Sequence, residues 1–149
     1  MKRSLNIFDK IGTLIPGYIG YQEREGRREC DRKLRERISD QLISIEKDIN
    51  LLIGKSKFEN LSEIEKIRKE INNLNGLIKF SPYGASAFFS DSVIKESELE
   101  NIYQKDLTIL EATYELENSA KSKDLNAIRN NIALLEKEIT ERNQYLKNI

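Results

Sequence analysis

The sequence predicts an all-α protein: an antiparallel up-and-down helical bundle of about four main helices, the first one long, preceded by a short N-terminal amphipathic helix. Three observations carry this expectation. Cys30, Leu34, Ile38, Leu42, Ile45, Ile49 and Leu52 recur every three or four positions, which is one apolar face of a helix held for roughly six turns. Leu125, Ile132, Ile139 and Leu146 lie seven apart, with Ile128 and Leu135 at the alternate positions, a heptad seam of the coiled-coil type. Only two prolines and seven glycines interrupt 149 residues, too few breakers for a loop-rich or all-β chain.

The elements follow in order. Residues 1–16 form an amphipathic segment in which Leu5, Phe8, Ile11 and Ile15 share a face, and Pro16-Gly17 ends it. This segment either straps the core or lies on an anionic membrane through Lys2, Arg3 and Lys10. Tyr18 and Tyr21 then alternate with Gly17 and Gly20 in an aromatic hinge. A long helix over 22–54 starts at Gln22, dense in charge as far as Arg37 and apolar-striped beyond it, with i,i+4 pairs such as Glu29 with Lys33 and Arg32 with Glu36.

Asn60-Leu-Ser-Glu63 has the spacing of a capping box and opens a helix over 60–79 carrying Ile64, Ile67, Ile71, Leu74 and Ile78 on one face. Its short connection folds it back on the long helix. Residues 81–92, SPYGASAFFSDS, lack charge until Asp91 and gather Tyr83, Phe88 and Phe89 among small residues, an aromatic loop that packs over the bundle end or docks another chain. Ser97-Glu-Leu-Glu100 suggests a second box and a helix over 97–120, with Leu99, Ile102, Tyr103, Leu107, Leu110, Tyr114 and Leu116 as its apolar residues. Asp106 falls on that apolar side and must be paired if buried. The last helix, 123–147, carries the heptad seam, which Arg142 interrupts. All of this reads as one domain, residues 1–149.

Composition limits the chemistry. The chain has one cysteine, Cys30, and no histidine, so a disulfide framework, a Cys/His zinc site and a His-based triad have no donors within it. No glycine-rich phosphate loop or metalloprotease motif is present. The reading is therefore not an enzyme, with no catalytic residue, cofactor or metal assigned, in a cytoplasmic setting and peripheral to the inner membrane face if the first segment binds lipid. Formal net charge is zero, yet residues 1–37 hold ten Lys/Arg against six acids, a net of +4, and seven of the ten arginines. Acids interleave with these arginines, which argues for salt bridges over phosphate binding and makes nucleic acid an unlikely partner.

The residues PGYIGYQEREGRRECDRKLRER, with PYGASAFF and IYQKDLTIL downstream, resemble an uncharacterised family of small helical prokaryotic proteins. The resemblance implies that Arg28, Asp31, Arg35 and Asp106 belong to one polar cluster; it brings no activity. The layout of an amphipathic segment before a long charged hairpin is also similar to that of membrane-remodelling coiled-coil proteins of the phage-shock type. The functional expectation is a non-catalytic scaffold or adaptor for a protein partner or a second copy of itself. Its candidate interaction surface is Tyr18, Tyr21, Tyr83, Phe88 and Phe89.

Overall fold

A computed structural model describes residues 6–54, 60–80, 87–89 and 93–149. It is all-helical: α1 (Ile7–Leu14), α2 (Arg27–Ile53), α3 (Leu61–Lys79), α4 (Glu96–Lys121) and α5 (Leu125–Asn148), with no strand among the described residues. α2 packs along α3 and α4 along α5; α2 also meets α4, α3 meets α5, and α1 lies on α4.

The α2 stripe is the deepest part of the core. Cys30, Leu34, Ile38, Leu42, Ile45 and Ile49 are fully buried, facing Ile64, Ile67, Ile71, Leu74 and Ile78 of α3. Each buried isoleucine or leucine contributes about 1.5–3 kcal/mol of transfer free energy. The helix begins at Arg27, five residues later than expected. A 3-10 turn, Arg24–Gly26, precedes it, and the hinge before that is held non-helical by Gly17 (φ 85°) and Gly20 (φ 87°). Gly20 has a second constraint, since a Cβ there would lie 2.7 Å from Tyr103 Oη and 2.9 Å from Phe8 Cε2.

α4 buries most of its expected apolar row: Ile102, Leu107, Leu110 and Leu116 are buried and Leu99 and Tyr103 partly so, whereas Tyr114 is 57% exposed. Two polar side chains, Asp106 and Thr113, are buried on the same helix. Thr113 satisfies itself by donating to the Ile109 carbonyl at 2.7 Å. In α5 Ile128, Ile132, Leu135, Ile139 and Leu146 of the seam are buried and Leu125 at its start partly so, and Arg142 is buried at the position where the apolar series breaks.

The caps differ from the motifs. The Asn60 side chain makes no capping bond. α4 is capped two residues earlier than Ser97, where Glu98 Oε1 accepts the Lys95 N–H at 3.1 Å, because the chain is already helical at Glu96. Asn6 and Asp124 do cap α1 and α5, accepting the Asp9 and Ala127 amides at 2.8 and 3.1 Å. α1 is anchored by its apolar residues: Ile11 and the following Ile15 are in the core, and the Phe8 ring packs, tilted, at 5.9 and 5.4 Å from the Tyr18 and Tyr103 rings. Among the described residues no helix is long and apolar enough to cross a membrane.

Candidate functional site

Four charged side chains from three helices meet inside the core. Arg142 of α5 is 1% exposed and donates through Nε to Asp106 Oδ1 of α4 (2.6 Å) and through Nη2 to Asp31 Oδ1 of α2 (2.7 Å) and to Tyr21 Oη (3.0 Å). Asp106 Oδ2 accepts the Tyr18 and Tyr21 hydroxyls at 2.7 and 2.5 Å. Asp31 Oδ2 faces Arg35 Nε at 2.8 Å, an ion pair whose N–H direction misses hydrogen-bond alignment. Arg35 Nη1 reaches the Ile78 carbonyl of α3 at 3.4 Å. All four long helices are thus tied to one polar centre.

Two carboxylates and two guanidiniums cancel in formal charge. Cancellation is needed, because each buried ion forfeits several kcal/mol of hydration and only close pairing with added hydrogen bonds offsets that loss. Burial pushes the Asp106 carboxyl up, against the pull of Arg142 and the two tyrosine hydroxyls. Burial would lower Arg142, yet Asp106, Tyr21 and Asp31 outweigh it and hold the guanidinium well above its ordinary value. The geometry is that of an ion pair. Arg142 Nε can only donate, and Tyr21 already accepts from Arg142, so its own proton goes to Asp106. Both oxygens of Asp106 are therefore used as acceptors.

The neighbouring acids are kept protonated. Burial, then the Asp106 charge, pushes the Tyr18 and Tyr21 hydroxyls far up. The same two causes raise the fully buried Cys30 thiol to about 12, so it is not a thiolate nucleophile at neutral pH. Among the described residues no group of three or more His, Cys, Asp or Glu side chains is placed to hold a metal.

A second layer fixes the hinge. Tyr103 Oη accepts the Tyr21 backbone N–H at 3.0 Å. Arg27, 4% exposed, donates through Nε to the Tyr21 carbonyl (2.9 Å) and through Nη1 to the Phe88 carbonyl (3.3 Å), with its guanidinium 5.8 Å from the Phe88 ring centre. Arg28 sits 5.8 Å over the Phe89 ring. The Arg-Arg pair therefore grips the Phe-Phe pair.

Of the expected polar cluster, Asp31, Arg35 and Asp106 come together. Arg28 does not: it is on the exposed side of α2, one position round from the buried Arg27, and it lies over the Phe89 ring. The expected interaction surface is corrected too. Tyr18, Tyr21, Phe88 and Phe89 are 5%, 0%, 0% and 8% exposed and form the interior wall of the site, because two hydroxyls are drawn to Asp106 and the Phe rings pack under arginines. Tyr83 lies outside the described residues. The residue that sequence reasoning missed is Arg142, and the signal was present: a charge where Leu125, Ile128, Ile132, Leu135 and Ile139 predict an apolar residue. No family model, curated protein or solved structure matches this chain.

Proposed function

We propose that this chain is a non-catalytic helical scaffold or adaptor that binds a protein partner in the cytoplasm. The carrying observation is that the polar cluster, the candidate site the core holds, is closed and spent on its own pairings. Asp31, Asp106 and Arg142 are 0–1% exposed and mutually paired, and Tyr18, Tyr21 and Cys30 are closed in with them. What the described residues offer to solvent is shape, charge and exposed apolar side chains.

The scaffold is read as two antiparallel hairpins, α2–α3 and α4–α5, packed side by side as a four-helix bundle. Ser39 bonds Asn75 while Arg35 bonds Ile78, and Asn101 bonds Tyr145 while Asn131 bonds Glu115. In each hairpin one partner number rises as the other falls, the signature of antiparallel neighbours.

The membrane alternative loses support from α1, whose Ile11 and Ile15 are already in the core and would have to be withdrawn to enter lipid. The nucleic-acid alternative loses it from Arg32, which bridges Glu29 at 2.5 Å and also pairs with Glu36 on the outer face of α2.

A photo-crosslinking residue placed singly at Ile19, Phe80 and Tyr114 of the full chain in cells tests the reading. These side chains are 60%, 79% and 57% exposed. A discrete crosslinked species from at least one position is expected; none from any of the three, with the protein folded, would refute the proposal.

A further inference from the structure

Exposed apolar side chains are ordinary when scattered, and their gathering in one place is the signal. Leu14 at the end of α1, Tyr114 of α4 and Leu134 of α5, exposed at 45%, 57% and 45%, line one groove of about 510 Å³. Its floor continues into Leu110 and Ala112. Glu111, Glu115 and Glu138 also line it, against one cation, Arg37, so three acids less one base leave a local charge of −2 on a chain whose net charge is zero. Gln41 reaches the same groove, and its Oε1 is a buried acceptor without a hydrogen-bond donor among the described residues.

The geometry points to this groove as the docking site for a basic amphipathic helix of a partner protein. The inference rests on the scaffold reading and names its surface. An apolar floor between helices takes the apolar face of a helical ligand. The glutamates select Lys or Arg at its edges. The acidic lining repels anionic lipid and nucleic acid. A second copy of this chain does not offer its amphipathic α1 as the ligand, because Ile11 and Ile15 are buried in that copy's own core.

The test titrates the 15N-labelled full chain with a synthetic Leu/Lys amphipathic helical peptide and with its Leu/Glu counterpart. The Leu/Lys peptide should shift amides over 108–115 and 134–138, and the Leu/Glu peptide should not. Tyr114→Ser with Leu134→Ser should weaken the Leu/Lys peptide about tenfold or more, and Glu111→Lys with Glu115→Lys should reverse the preference between the peptides; all four positions are exposed, so the fold is retained. Absence of binding, shifts centred elsewhere, or an unchanged affinity in the serine variant would overturn the groove. A crosslinked partner from Ile19 or Phe80 but not from Tyr114 would also overturn it, while leaving the scaffold reading standing.

Discussion

Replacing Arg142 by methionine keeps the length and much of the apolar stem while deleting the one cation shared by two buried carboxylates. Asp106 Oδ1 loses a 2.6 Å donor and Asp31 Oδ1 a 2.7 Å donor, both at 0% exposure. Removing one partner of a buried ion pair costs about 3–5 kcal/mol, most of it the uncompensated charge left behind. Two carboxylates are affected here, but Asp31 keeps Arg35 and Asp106 keeps two tyrosine hydroxyls, so the loss should stay within that range. Against a total stability of about 5–15 kcal/mol this is a large fraction. For a chain of this size it corresponds to a fall in Tm of roughly 10–15 °C. Thermal and urea unfolding followed by circular dichroism would measure it, with the urea slope unchanged if only the native state is affected. Adding Asp106→Asn to Arg142→Met removes one orphaned charge. The double variant should therefore be more stable than the sum of the two single losses by about 1 kcal/mol or more. A Tm within about 2 °C of wild type for Arg142→Met would show that the cluster does not hold the bundle.

Alkaline pH tests the same region by another route. Cys30 is raised from 9.0 to about 12, and Tyr18 and Tyr21 are raised above 10.0, so the native state keeps protons that the unfolded chain has released. Their contribution is complete below about pH 9 and is lost as pH rises, at about 1.4 kcal/mol per pH unit per group above its unfolded pKa. The urea midpoint should fall steeply between pH 9 and 11, and a flat midpoint would refute the burial of these groups. Gly20→Ala, with its positive φ and a Cβ aimed at Tyr103 and Phe8, should cost about 1–3 kcal/mol, whereas Gly12→Ala in the open on α1, with no atom in the way, should stabilise by up to about 1 kcal/mol; calorimetry of the pair would separate them. Arg32→Ala, which removes two ion pairs at a position half exposed to solvent, should leave Tm unchanged within error, and a loss comparable to that of Arg142→Met would invert the ranking of buried over surface pairs.

The amino-acid sequence by itself determined the helices, since a stripe such as Leu34, Ile38, Leu42, Ile45 and Ile49 has only one periodic solution. It also made Asp31, Arg35 and Asp106 conspicuous, the last because a carboxylate on an apolar face demands a partner. What it did not determine is which partner. Asp106 and Arg142 are 36 residues apart and Asp31 and Arg142 are 111 apart, and no local rule links positions at such separations. The exposure of Tyr114, which the apolar row placed inward, was likewise decided by tertiary structure. The buried ion pair needs its partners within hydrogen-bond reach, and α4 meets both α2 and α5. The same pairing holds Tyr18 and Tyr21 inside through their hydroxyls on Asp106, although both stood in the candidate interaction surface.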